Sequence, residues 1–233
     1  YYIAEIYLIK KNYDKAEIVA QNYLSTYPNN EYTAEMYRVL GDADYHFGKY
    51  HEAMGAFEKY LANNQEEAPR RDALYMLGLS YYHSGVYTKA ANTLGEVATG
   101  NDALSQNAYL HMGLSYLQMG DKNKARMAFE QASASNANMQ IKEQAAYNYA
   151  LCIHETSYSA FGESVTVFEK FLNEFPNSQY VDKVSSYLVE VYMNTRSYEA
   201  ALKSIERITH PGAAILEAKQ KIQFHLGTQS FAN

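Results

Sequence analysis

The sequence predicts an all-α fold built from repeated helical hairpins, and three observations predict it. Apolar residues recur at the three-and-four spacing of a helix stripe, small residues return at a near-constant interval, and all four prolines fall between the periodic stretches. The clearest unit is Ala34 to Leu61. Tyr37, Leu40, Gly41 and Asp44-Tyr45 form one stripe, Gly48-Lys49-Tyr50 interrupts it, and Ala53, Phe57, Tyr60 and Leu61 form a second. Gly41 and Ala53 are predicted to let the two axes approach closely, with Tyr37, Leu40 and Phe57 filling the space around them. Gly48 suits the left-handed residue that ends a helix.

The same unit returns along the chain. Its first-helix small positions are Ala4, Gly41, Gly78, Gly113, Ala150, Val189 and Gly227, separated by 37, 37, 35, 37, 39 and 38 residues. Their second-helix partners are Ala16, Ala53, Ala90, Ala125, Ser164 and Ala201. The spacing within a unit is broken only in the fifth, where two residues are inserted in Ser157 to Gly162, predicting a longer loop around Ser159-Ala160. Phe161, Phe168 and Phe171 are expected to keep that hairpin paired.

In order, Tyr1 to Lys10 reads as the tail of a first helix and Tyr13 to Thr26 as its partner. Tyr27-Pro28-Asn29-Asn30 ends that unit, with proline excluded from the helix behind and asparagine capping the helix ahead. Ala68-Pro69, Phe175-Pro176-Asn177-Ser178 and His210-Pro211-Gly212 repeat this punctuation. Gly100-Asn101-Asp102 and Ser135 to Asn138 supply polar turns where proline is missing. Glu66-Glu67 followed by Arg70-Arg71 reads as a solvated charged junction. Ala213 to Ala232 reads as a further first helix. The expected repeats are 1–30, 31–68, 69–102, 103–138, 139–178, 179–212 and a partial 213–233, one array that reads as a piece of a longer chain.

Composition narrows the function classes. With 24 tyrosines and no tryptophan, tyrosine is the packing aromatic of this chain. A formal charge of −6 without a segregated basic face argues against a nucleic-acid or anionic-membrane partner. No apolar run is long enough to span a membrane. The one cysteine, Cys152, sits on an apolar stripe without a base beside it in sequence and reads as a small buried hydrophobe. Phosphate-binding glycine loops, His-Glu-x-x-His, nucleophile elbows and Cys-x-x-Cys are all missing, so the chain is expected to be no enzyme and to need no cofactor. His46 and His83 hold equivalent places on successive helices. Axes packed about 10 Å apart leave such residues too distant to share a zinc ion, so no metal is expected.

The L-G, Y, A and F/Y positions with a closing proline resemble the tetratricopeptide repeat family over essentially the whole chain. The resemblance implies a right-handed α-solenoid whose first helices line a concave groove for a peptide or helix. By position, that groove would present Arg38, Asp42, Tyr45 and His46; Tyr75, Leu79, Tyr82 and His83; Leu114; Tyr147, Leu151 and His154; and Glu190, with Glu35, Asp72, Asn107, Leu117 and Lys183 among their neighbours. Members that clamp a C-terminal carboxylate use lysine, arginine and asparagine there, whereas this chain has Asp72, Tyr75 and Leu79. Tyr45, Tyr75, Tyr82 and Tyr147 are the expected anchors, and Asp42, Asp72 and Glu190 the reason to expect a neutral or basic guest. The junctions NYLSTYPNNEY and KFLNEFPNSQY are similar to those of bacterial envelope tetratricopeptide proteins such as BamD and CpoB, which implies a periplasmic or envelope adaptor. Three functions stay open: a protein-binding scaffold, a structural array self-associating through its exposed end repeats, and a SusD-like glycan-binding lipoprotein. The last is at odds with a two-residue insertion and no tryptophan platform.

Overall fold

The structure, a computed structural model, describes residues 1–64, 68–157 and 160–232. The expectations placed on Glu66-Glu67 and on Ser159 lie outside the described residues. Among those described, the chain is thirteen α-helices without a strand: α1 (Tyr2–Ile9), α2 (Tyr13–Thr26), α3 (Thr33–His46), α4 (Tyr50–Asn63), α5 (Arg71–His83), α6 (Tyr87–Val97), α7 (Ala103–Gln118), α8 (Lys122–Ala134), α9 (Met139–Thr156), α10 (Val165–Glu174), α11 (Val181–Asn194), α12 (Tyr198–Glu206) and α13 (Ala213–Ala232). All four prolines fall between helices. The chain forms two compact units, Tyr1–Ala137 and Asn138–Asn233.

Unit 1 holds four hairpins, α1/α2 to α7/α8, and each turn is made the same way. Gly48, Gly85 and Gly120 have φ of 72°, 77° and 77°, a left-handed conformation that costs glycine nothing. The following N–H then reaches back five residues: Lys49 to the Asp44 carbonyl, Val86 to Tyr81 and Asp121 to Tyr116, each at 2.9 Å. This satisfies carbonyls that the helix end would otherwise leave unpaired. The first hairpin makes the same bond, Asn12 to Tyr7 at 2.8 Å, with Lys11 in the left-handed position at φ 56°.

Within each hairpin the glycine has a definite partner. A Cβ built on Gly41 would lie 3.0 Å from the Phe57 ring, one on Gly78 2.6 Å from Leu94, and one on Gly113 2.5 Å from Phe129. The expected close approach is therefore a large side chain seated on a bare backbone; Ala53, Ala90 and Ala125, fully buried, pack beside it. Asn30 does not cap α3. It organises the turn before it, accepting from the Tyr32 N–H at 2.8 Å and the Tyr23 hydroxyl at 2.7 Å.

In unit 2, α9 pairs with α10 through a π-helical turn at Ala160–Ser164, which takes up part of the fifth repeat's extra length. Phe168 and Phe171 are buried in the unit's core and Phe161 packs against it. In the next hairpin the Tyr192 hydroxyl meets Ser204 Oγ at 2.5 Å, and α11 also packs on α13.

One buried charge is out of place. Asp44 lies where the other three hairpins of unit 1 carry Tyr7, Tyr81 and Tyr116, each under a lysine at 5.5 to 5.7 Å. Burial and the nearby Glu17 carboxylate push Asp44 up to about 6. The folded state holds this proton to a higher pH than the unfolded chain, so Asp44 subtracts stability as pH rises from about 4 to about 6.

Two outcomes are expected. Gly78→Leu should lower stability by at least about 1 to 3 kcal/mol, whereas Gly55→Ala, whose Cβ would meet nothing within 4 Å, should raise it by about 0.5 to 1 kcal/mol; an unchanged denaturation midpoint for Gly78→Leu would refute the packing assignment. Asp44→Asn should stabilise the chain by about 1 kcal/mol at pH 7 and flatten the fall in melting temperature between pH 4 and 6, a result checked by melts across that range.

Candidate functional site

In unit 1 the first helices touch in sequence, α1 on α3, α3 on α5 and α5 on α7. Side chains one or two turns apart on these helices therefore line up into a strip. Tyr45 on α3 is half-buried against Tyr50, at 5.7 Å, and beside Tyr75. Burial, reinforced by Tyr75 and Tyr50, raises its pKa to about 12, so the phenol stays neutral. Tyr75 on α5 accepts a hydrogen bond from Asn107 Nδ2 on α7. One turn pair further along α5, Tyr82 stands edge-on to Tyr87, at 5.9 Å, and to His111 of α7, at 5.2 Å.

The histidines have partners that periodicity did not suggest. His46 stacks on Tyr13 and His83 on Tyr50, both at 4.2 Å between ring centroids. Each tyrosine is the residue that opens the second helix of the preceding repeat. His46 Nδ1 also lies 2.9 Å from Asp42 Oδ1, and Asp42 is raised in pKa chiefly by burial. His83 and His111 are 6.5 Å apart. Burial lowers the pKa of both. No group of three or more His, Cys, Asp or Glu side chains among the described residues is arranged to hold a metal ion.

Several expected site residues are placed elsewhere. Arg38 is 2% exposed and bonded to Glu35 at 2.7 Å and to Glu5, so it ties α3 to α1 and has no free face for a guest. Leu79 is buried with Leu94, Val97 and Ala108. In unit 2, Tyr147 is buried and stacked on Tyr180 at 4.0 Å, and Leu151 packs against the same core. His154 lies between Phe168 and Tyr187, with Nδ1 3.1 Å from Ser164 Oγ. These four are packing residues where the register had suggested lining. Leu114 is half-buried on α7, and Glu190 is exposed on α11. Asp72 is held by both arms of Arg70, at 3.0 and 2.7 Å, so it adds less negative field than its sequence position implied.

The strip that remains is Tyr45, Tyr75, Tyr82 and His83, joined by Asn107 and His111. His111 and Tyr50 were missed. The available signal for His111 was a polar residue two places before Gly113, where the preceding repeats carry Val39 and Met76. Away from this strip, a polar recess of about 810 Å³ opens at the ends of α6 and α8, lined by Thr99, Asn101, Gln106, Tyr109, Ser135 and Asn136. Gln106 Nε2 spans its base, donating to the carbonyls of Ala132 at 3.1 Å and Ser135 at 2.7 Å, which satisfies the α8 terminus.

Arg38→Ala should destabilise the chain by about 3 kcal/mol, because it leaves two part-buried carboxylates facing each other. The loss should appear in urea unfolding. An Arg38→Ala variant of wild-type stability would show that the ion pairs contribute nothing.

The chain is similar to known repeat proteins. A family model described as anaphase-promoting complex, cyclosome, subunit 3 matches residues 46–132. Among solved structures, a tetratricopeptide repeat protein from Parabacteroides merdae superposes with a TM-score of 0.57 at 19% identity, over 96% of this chain and 84% of that one. PilF of Pseudomonas aeruginosa gives 0.55 at 18% identity, over 96% and 94%. YrrB, described as a TPR protein with an unusual peptide-binding site, gives 0.57 at 14% identity, over 86% and 97%. No curated protein matches the sequence. The repeat register, the glycine-turn hairpins and these likenesses agree on the fold: an all-α solenoid of helical hairpins like that of tetratricopeptide repeat proteins.

Proposed function

We propose that the chain is a non-enzymatic scaffold that binds a peptide or helical segment of a partner protein on the first-helix face of unit 1. The observation that carries this is the strip itself. Tyr45, Tyr75, Tyr82, His83, Asn107 and His111 run across three successive first helices and offer aromatic area edged by hydrogen-bonding groups. Large planar side chains with few rotors lose little entropy when a guest covers them, and such residues dominate interface energies. YrrB, of similar fold, is described by its peptide-binding site, which supports the same use here.

The guest is neutral or basic. Arg38 and Arg70 are engaged by Glu5, Glu35 and Asp72, so these two guanidinium groups are already paired with carboxylates, while Asp42 lies beside the strip. The junction resemblance favours an adaptor of the bacterial cell envelope.

Tyr82→Ala should weaken binding of the partner by about 1 to 3 kcal/mol, while Lys89→Ala on α6 should change it little. Both are read by calorimetry with the partner recovered by pull-down. Equal losses at both positions, or a loss at Lys89 alone, would place the partner on the second-helix face.

A further inference from the structure

We propose that the His83–His111 pair makes binding on this face acid-sensitive, releasing a basic guest when either imidazole takes up a proton. The inference rests on the groove reading above and adds its regulation. Tyr82 touches both imidazoles edge-on, at 5.2 Å each, so the two rings and the phenol form one cluster at the junction of α5 and α7.

The groups around the cluster decide how it responds to a proton. From α4, Tyr50 stacks on His83; from α5, Tyr82 stands between the rings; from α6, Tyr87 packs on Tyr82; from α7, the Asn107 carbonyl lies 3.0 Å from His111 Nδ1. These are phenols and a carbonyl, and among the described residues burial, the Asn107 carbonyl and the neighbouring imidazole, not a carboxylate, are what act on the two rings. This sets the pair apart from His46, which has Asp42 at 2.9 Å as counter-ion. A proton on His83 or His111 is therefore an uncompensated positive charge at the centre of the strip, and each ring repels the second proton from the other.

The consequence follows from the sign of the charge. At neutral pH both rings are uncharged and the aromatic faces of Tyr82 and Tyr50 can receive a guest ammonium or guanidinium. As pH falls below the ordinary histidine range the cluster becomes cationic. The same guest then meets like charge across a few ångströms, in a site partly removed from water, where screening is weak. Both imidazoles have a lowered pKa, so the folded state binds fewer protons than the unfolded chain below the usual histidine value of 6.5. The stability that neutral His83 and His111 leave intact at pH 7 is lost as pH falls through that range.

The test uses the whole chain and two readouts. Proton NMR of the imidazole resonances should show His83 and His111 titrating below the range of exposed histidines, with His111→Gln shifting the His83 titration upward. A fluorescent helical probe peptide of alternating leucine and lysine turns should bind roughly fivefold more weakly at pH 5.5 than at pH 7.5. In the His83→Gln/His111→Gln variant that ratio should fall to near one, which separates the local charge from the global change in net charge. Independent titrations with a pH ratio retained in the double variant overturn the switch and leave the groove reading standing. A probe that fails to bind at either pH overturns the groove reading and the acid release with it, whatever the imidazoles do.

Discussion

A single contact recurs through unit 1 and sets its dimensions: a large second-helix side chain lies on the bare backbone of a first-helix glycine. Phe57 on Gly41, Leu94 on Gly78 and Phe129 on Gly113 are the same event in three hairpins. Because the glycine has no Cβ, the two axes come close enough to bury the alanines beside the contact completely. That separation, with a left-handed residue at each turn, fixes where the second helix starts. It is why Tyr13 and Tyr50 reach the next repeat's histidine and why the first helices meet in a row.

The charges of unit 1 are spent mainly on holding repeats together. Arg38 joins α3 to α1; Arg71 reaches from α5 to the Val97 carbonyl at the end of α6 and to Asp102 and Ser105 at the start of α7; Lys49 pairs with Glu17 across the first two hairpins. Salt bridges of this kind, partly buried and hydrogen-bonded to helix ends, set register between repeats more than they add net stability. A side effect bears on function. With the arginines drawn into these clasps, the face built by α3, α5 and α7 is left mainly to phenols, imidazoles and amides, with Asp42 at its edge.

Asp44 shows what happens when one repeat departs from the pattern of the others. The hairpins around it place a tyrosine under a lysine at this corner, an arrangement that buries an aromatic ring and keeps the ammonium at its face. The second hairpin has Asp44 and Glu52 at the corresponding places. Lys49 partly offsets the acidic pair, and the remaining cost appears as a carboxyl held protonated well above the usual range.

Local chemistry was enough for much of this architecture. Glycine at the close contact and at the turn, proline between units and a stripe of period 3.6 each specify backbone conformation or burial within a few residues, so the hairpins, their boundaries and the glycine register could be read directly. Which first-helix residues other elements cover could not. Arg38, Leu79 and Tyr147 stand at positions that resemblance assigned to the face, yet Glu5 of α1, Leu94 of α6 and Tyr180 in the turn before α11 draw them inward. His111 joins the strip only because α7 lies against α5 at the height of Tyr82. Periodicity specifies the side of one helix on which a residue lies; whether that side is covered depends on residues 30 or so positions away, and only the packed structure brings those into contact.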